Sequence, residues 1–332
     1  MRQRRATISV VLPFRDAGAT IDAALSGLLA EHDPSREVLA IDDGSTDSGA
    51  SRVRAWAARD PRLRLLEGSG SGLVAALNLG LAHAQGALIA RMDADDIAHP
   101  ERLSRQRAYL CAHPELAVLG CRVEAVGGGE GLQRYVAWQN TLLTPEQHAQ
   151  ARFIESPLCH PSIMARRAVL RDVGGYRELD GPEDYELFLR CMAHGHALAK
   201  LPEVLLAWHH REGRATFADS RYARSKFGAV KAPYLTLAIG GAKVALWGAG
   251  QTGRRLAREL AAHGVHPSLV VDIDPLKLGR TVRGAPIVRA EALDPAKHVV
   301  IAAVGARGAR EIIRPQLEAL GFREGHDAWF AS

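Results

Sequence analysis

The first hundred residues alternate short apolar, β-branched runs with segments of helical period, and this alternation restricts the fold more than any other feature of the chain. Residues 8–12, 37–41, 63–66 and 87–92 read as strands, and residues 19–30, 47–59 and 73–85 as helices. Within 19–30, Ile21, Leu25, Leu28 and Leu29 recur on one helical face. Asp60-Pro61 and Gly86 stop the second and third helices. The pattern predicts the α/β class, with a mainly parallel sheet and helices on both faces. Ligands of such sheets gather outside the carboxyl ends of the strands.

Two acidic clusters fall at that edge. Asp42-Asp43-Gly44-Ser45 follows the second strand, and Asp93-Ala94-Asp95-Asp96 follows the fourth. Each is by itself a good turn sequence, and Asp42 also suits strand termination. Together they crowd carboxylates that repel one another unless a cation or a donor compensates.

Residues 103–158 are less legible. Residues 127–131 read as a flexible loop, 166–173 as a helix ended by Gly174-Gly175, and 183–194 as a helix with Leu187, Phe188 and Cys191 spaced for burial. A final helix over 221–237 is expected to break at Pro233, and Gly240-Gly241 resembles a linker. Glu183 and Asp184 open their helix after Pro182. Adjacent helical residues point in different directions, so one acid can face a cleft while the other supports it. Capping is the alternative, since acids favour a helix start.

From Lys243 the alternation restarts. A strand over 244–247 leads into Gly248-Ala249-Gly250-Gln251-Thr252-Gly253, then a helix to His263 and a strand over 269–271 that ends at Asp272. A strand over 298–304 and a helix over 309–320 complete a module of about 90 residues. The glycine pattern sits between strand and helix, and Asp272 lies 272 − 253 = 19 residues beyond Gly253. That context predicts a Rossmann-like fold with a phosphate at Gly248, Gly250 and Gly253 and a ribose hydroxyl at Asp272. The glycines alternatively serve only a tight turn. The expected domains are 1–238 and 239–332.

Charge narrows the partners. The chain carries 42 Lys and Arg against 37 Asp and Glu, a net +5. Residues 240–332 hold 13 basic and 9 acidic residues, so +4 of that total lies there. Neither part has a basic stripe with interleaved aromatics, so no nucleic-acid partner is expected. The four cysteines form no C-x-x-C pair, which removes zinc knuckles and thioredoxin-like motifs. Scattered thiols fit a reducing compartment. No apolar run reaches the roughly 20 residues of a membrane helix. A cytoplasmic location is expected, with peripheral membrane contact left open.

The motifs point to a family. SVVLPFRDAGATI (residues 9–21), IDDGSTDSG (41–49), ALNLGLAHAQGALIARMDADDIAHPERL (76–103), HPSIMARRAVLRDVGGY (160–176) and EDYELFLR (183–190) stand in the order and spacing of the family 2 glycosyltransferases, which residues 7–215 resemble. Asp16 stands where that family commonly has Asn, and Ala76 where an Arg often precedes the equivalent of Asn78. The resemblance implies a GT-A fold, a Rossmann-like mixed sheet with helices on both faces. It implies an inverting enzyme that uses a nucleotide sugar, UDP-linked, with Mn²⁺ or Mg²⁺, on a glycan or lipid-linked acceptor. By the same resemblance Asp95 ligates the metal and Asp93 reaches the metal or the ribose, with Asp96 a further candidate. Pro13, Asp42 and Asp43 would line the nucleotide, one of the two acids accepting from the uracil imide. Asp184 would be the general base and Glu183 its support. His209 and His210 would approach the metal or diphosphate, or form an ordinary surface pair. His160 lies near the expected acceptor pocket, or packs a helix entry.

The C-terminal stretch VVDIDPLKLGRTVRGAPIV (residues 270–288) is similar to nucleotide-sugar-binding domains that precede some sugar O-acyltransferases, and to C-terminal domains of certain sugar-modifying methyltransferases. It implies a nucleotide, nucleotide-sugar or NAD(P) ligand, or an assembly surface. Two competing readings follow: an NAD(P)-dependent oxidoreductase working through this domain, and a non-catalytic nucleotide-sugar sensor.

Overall fold

A computed structural model describes residues 7–30, 35–210 and 219–332. In chain order the elements are β1 (Ile8–Phe14), α1 (Ile21–Leu29), β2 (Arg36–Asp42), α2 (Gly49–Ala57), β3 (Leu63–Glu67), α3 (Leu73–His83), β4 (Leu88–Arg91), β5 (Ile97–Ala98), α4 (Arg102–Ala112), β6 (Leu116–Gly127), α5 (Glu130–Gln139) and α6 (Pro145–Ala151). They continue with β7 (Met164–Arg166), α7 (Arg167–Asp172), α8 (Glu183–Ala193), β8 (Ala197–His210), α9 (Arg224–Ile239), β9 (Lys243–Trp247), α10 (Gln251–Ala261), β10 (Pro267–Val271), β11 (Thr281–Val282), β12 (Ala285–Val288), β13 (His298–Ala302), α11 (Ala309–Ala319) and β14 (Ala328–Phe330). Contacts divide the chain into two units. One comprises Met1–Pro145, Leu158–Leu179 and His194–Ala218, and the other Glu146–Pro157, Asp180–Ala193 and Asp219–Ser332.

The first unit is built on an eight-stranded sheet of order β3-β2-β1-β4-β7-β6-β8-β5. Strands β3, β2, β1 and β4 are mutually parallel, as the opening alternation predicts. All seven residues of β1 are buried. A strand covered on both faces reads as a continuous apolar run rather than an alternating one. The other half is mixed: β7 runs antiparallel to both β4 and β6, while β6 and β8 are parallel. Strands β6 and β8 supply the part the sequence reading did not resolve. Their pairing shifts register near Cys121 and Arg122, and β8 carries Lys200 and Pro202. These features blur the period-2 pattern of a strand.

The second unit holds a six-stranded sheet of order β11-β12-β10-β9-β13-β14. It is parallel apart from the β11–β12 hairpin. Counting from β9, its parallel strands stand in the order 3-2-1-4-5, that of a Rossmann-type sheet. Trp247, Val271, Val300, Ile313 and Phe330 form its core. Strands β12 and β14 were not anticipated from the sequence; both are short and carry little pattern.

Contacts also group α8 and α9 with this C-terminal sheet, whereas the sequence pattern put a division at 238/239. Buried Lys231 of α9 shows how: its Nζ donates to the carbonyls of Phe153 (2.7 Å), Ile154 (3.2 Å) and Ala331 (3.1 Å). The expected break at Pro233 does not occur, and α9 runs continuously from Arg224 to Ile239. Proline removes one helical donor, but Val230, Ala232, Leu235 and Ile239 are buried around it, and α9 packs on both α8 and α10. Packing outweighs the lost bond. Among the described residues no helix is long and apolar enough to cross a membrane.

Candidate active site

The carboxyl edge of the first sheet carries both acidic clusters. Parallel pairing sets Pro13 beside Ile41 and Phe14 beside Asp42. The turn after β2 is organised by side-chain carboxylates. Asp42 Oδ1 accepts from the Ser45 N–H at 2.8 Å, and buried Asp43 accepts from the Gly72 N–H at 3.2 Å. Asp16 has φ +50°, a left-handed conformation that Asp and Asn tolerate better than most residues. From there it accepts from the Thr46 N–H at 2.7 Å, and this bond holds its carboxyl below the ordinary range.

Strand β4 ends at Arg91, and the next five residues bring Asp93, Asp95 and Asp96 together. Each offers a carboxylate oxygen, and the three oxygens lie within 4.8 Å of one another. Asp96 is fully buried and accepts from the His209 N–H at 2.9 Å, which ties the cluster to the end of β8. Convergent carboxylates are the donor set of a hard divalent cation. His209 and His210 do not belong to this group; His209 meets it through its backbone.

Behind the cluster lies a polar seat that the sequence reading missed. Arg91 is 4% exposed, and its Nη2 pairs with Asp93 Oδ1 at 2.5 Å. Its Nε and Nη1 have no hydrogen-bond partner among the described residues. Burial opposes the arginine's charge, but Asp93, with Tyr176 and Asp96, raises its pKa above the ordinary value. His160 Nε2 lies 2.7 Å from the Tyr176 hydroxyl. Burial, reinforced by the Arg91 charge, pushes the His160 pKa well down, so the imidazole is neutral. Asn78 grips the Tyr176 backbone twice, at 2.9 and 3.0 Å. Residues from two of the motif segments, 76–103 and 160–176, thus meet here. The available signal was an arginine closing an otherwise apolar buried strand, since arginine is seldom fully buried without a partner.

The paired acids of α8 separate as expected for neighbours on a helix. Glu183 is 2% exposed and Asp184 half-buried. Glu183 accepts from the Tyr222 hydroxyl at 2.8 Å. Asp184 Oδ1 accepts from the N–H of the next residue, Tyr185, at 2.7 Å. It leaves the carboxylate further acceptor capacity.

Residues 9–174 match the family model described as glycosyl transferase family 2. The chain belongs to glycosyl transferase family 2. Its relatives include the amylovoran biosynthesis glycosyltransferase AmsE of Erwinia amylovora, 34% identical over 173 residues, which are 51% of this chain and 63% of AmsE. The match therefore spans less than two thirds of that relative. Among solved structures, S. aureus TarS 1–349 in complex with UDP-GlcNAc superposes with a TM-score of 0.57 at 20% identity, over 77% of this chain and 72% of that one. The mannosyltransferase PcManGT from Pyrobaculum calidifontis, in complex with GDP-Man and Mn²⁺, gives 0.53 at 20% identity, over 70% and 63%. These likenesses and the mixed eight-stranded sheet establish the GT-A fold.

This family 2 chain carries a second candidate site on its C-terminal sheet. Gly248 has φ +124°, and a Cβ there would lie 2.7 Å from the Ala303 carbonyl oxygen. A Cβ on Gly253 would lie 1.8 Å from the Gly248 oxygen. Both glycines are required by the turn itself. Gly250 differs, because a Cβ there would meet nothing within 4 Å. Asp272 lies at the end of β10 as the spacing predicted. It accepts from the Ala249 N–H (2.9 Å), the Asp274 N–H (3.0 Å) and Lys277 Nζ (3.2 Å). Burial alone would raise the Asp272 pKa; the bonds from Asp274, Ala249 and Lys277 win and lower it. Beside the turn, a cleft of about 510 Å³ is lined by Ala249, Gly250, Gln251, Arg254, Arg255, Arg258 and Lys277. Four of these side chains are cationic and none is acidic.

Proposed function

We propose that this chain is an inverting, metal-dependent glycosyltransferase that moves a sugar from a UDP-sugar to a hydroxyl of a glycan or lipid-linked acceptor. The observation that carries this reading is the Asp93, Asp95 and Asp96 carboxylate group, with its oxygens within 4.8 Å, at the carboxyl end of β4. Mn²⁺ or Mg²⁺ held there, chiefly by Asp95, supplies Lewis acidity for the departing diphosphate. Asp93, fixed by Arg91, contributes to the cation or the ribose, and Asp43 and Pro13 line the nucleotide. Asp184 takes the acceptor proton as general base, with Glu183 in support. A base acting on the acceptor in a direct displacement needs no enzyme nucleophile, which favours inversion. The name of AmsE, an amylovoran biosynthesis glycosyltransferase, supports a polysaccharide as the product class. Calorimetry with UDP, with Mn²⁺ and with EDTA, tests the donor half. Equal affinity in both would refute the metal role.

We further propose that the C-terminal cleft binds the phosphates of a nucleotide or nucleotide sugar. The support is its four cations, the amides of the glycine turn at the start of α10, and the open space at Gly250. The Asp272 carboxylate braces that turn, and any ribose contact would share it with Lys277. Titration of the full chain with UDP, UDP-sugars and NADH tests this site, with Asp95→Asn present to silence the first one. Tight NADH binding with turnover would favour the oxidoreductase reading instead.

A further inference from the structure

Helix α8 offers three acids in its first turn, Glu183, Asp184 and Glu186. Two of them are engaged by tyrosines from the segment that follows β8. Glu183 accepts from the Tyr222 hydroxyl at 2.8 Å, and Glu186 from the Tyr234 hydroxyl at 2.5 Å. The two pairs differ in what surrounds them. Glu186 also binds Arg190 one turn on, at 2.8 Å, in a buried ion pair. Glu183 is the immediate neighbour of Asp184, and Tyr222 lies within electrostatic reach of both.

Tyr222 is itself held in place. It closes a short 3₁₀ turn, Ser220–Tyr222, capped by Asp219, whose side chain accepts from the Arg221 N–H at 2.9 Å and pairs with the Arg221 guanidinium at 2.7 Å. Burial, then the charges of Glu183 and Asp184, raise the phenol's pKa, so its proton stays on and it acts as a donor. A carboxylate as buried as Glu183 keeps its charge only where donors support it. The Tyr222 hydroxyl is such a donor to Glu183, the immediate neighbour of Asp184. The same bond pins the turn on which Asp184 sits.

We propose that Tyr222 is a positioning residue for the acceptor-activating acid, acting through Glu183 to fix Asp184. This rests on the reading of Asp184 as general base. Tyr222 touches no reacting atom in this scheme. Its effect belongs in turnover and not in donor binding.

The test uses the full chain and UDP release from whichever of UDP-glucose, UDP-galactose and UDP-GlcNAc it hydrolyses fastest with Mn²⁺. Water then stands in for the acceptor hydroxyl. Tyr222→Phe is expected to lower kcat about tenfold and leave the donor KM within twofold. Tyr234→Phe, which removes the matching phenol, is expected to lower the melting temperature and keep kcat within twofold. Wild-type kcat in Tyr222→Phe would overturn the proposal. So would equal kcat losses in both variants that track their melting temperatures, because that marks a structural role. Asp184→Asn is measured in parallel. If it retains wild-type kcat the base assignment itself fails, whereas loss in Asp184→Asn with no loss in Tyr222→Phe rejects Tyr222 alone.

Discussion

Arg91 and Asp93 form a 2.5 Å ion pair in which the arginine side chain is 5% exposed and the aspartate 20%. Removing one partner of such a pair leaves a buried charge uncompensated, at a cost of about 3–5 kcal/mol. Two of the guanidinium nitrogens already lack partners among the described residues. Asp93→Asn is therefore expected to cost about 3 kcal/mol of stability, in addition to any loss of donor binding. Asp95→Asn, on the same rim, is expected to cost under about 1 kcal/mol. Urea denaturation of the two variants separates them. Equal midpoints would show that the pair does not hold the rim together.

Arg91→Lys asks a different question. It keeps the positive charge and loses the planar fork that orients a carboxylate. UDP affinity in the presence of Mn²⁺ is expected to fall about tenfold, or about 1.4 kcal/mol. Isothermal titration of the full chain measures this. Unchanged affinity would mean that Asp93 needs the charge of residue 91 but not its geometry.

The two halves of the acid pair on α8 are expected to separate kinetically. Asp184→Asn removes a base that acts in the transition state, so kcat should fall by about 10²–10⁴ while UDP affinity stays near wild type. Glu183→Gln keeps an acceptor oxygen for Tyr222 and should be milder, about tenfold. A larger loss in Glu183→Gln than in Asp184→Asn would exchange their roles.

The legible parts of this chain are those where one residue's chemistry decides its neighbourhood. Apolar runs buried on both faces marked β1, β2 and β4, and acids just beyond them marked the rim. Asp93, Asp95 and Asp96 were readable because three carboxylates in four residues are hard to accommodate without a purpose. Arg91 escaped notice because its role depends on His160 and Tyr176, which arrive from about 70 and 85 residues away in the sequence. No local pattern encodes that meeting. Tyr222 was invisible for the same reason. Strands β6 and β8 were lost because a buried lysine, a proline and a register shift interrupt their period. The break expected at Pro233 shows the converse, a strong local signal overruled by packing on both sides of α9.

The glycine turn allows a test that separates folding from binding. Gly253→Ala places a methyl group 1.8 Å from a backbone oxygen and should destabilise the C-terminal unit strongly. Gly250 has ordinary φ near −79° and open space around it. Gly250→Val should therefore leave the melting temperature within a few degrees and abolish phosphate-dependent binding at the cleft. Thermal denaturation together with UDP titration in the Asp95→Asn background reads both. Undiminished binding in Gly250→Val would move the ligand away from this turn.

Lys200 makes stability depend on pH in a direction opposite to that of most lysines. It lies on β8, 4% exposed, with its Nζ donating to the Gln139 carbonyl. Burial pushes its pKa from 10.5 down to about 7. Between about pH 7 and 10.5 the unfolded chain therefore binds a proton that the folded chain has released. More protons bound in the unfolded state means that stability rises with pH through that window, by up to about 1.4 kcal/mol per unit from this one group. Below about pH 7 both states are protonated and the slope vanishes. Other groups titrate over the same range, among them Lys231, which burial lowers to about 8. The informative quantity is thus the difference between wild type and Lys200→Met, in which those shared contributions cancel. Urea denaturation at pH 7, 8 and 9 should show the wild type gaining on the variant at each step. A difference that stays constant across the three would mean that Lys200 titrates alike in both states. The β8 strand that carries His209, whose N–H binds Asp96, would then tolerate a charged ammonium in its interior.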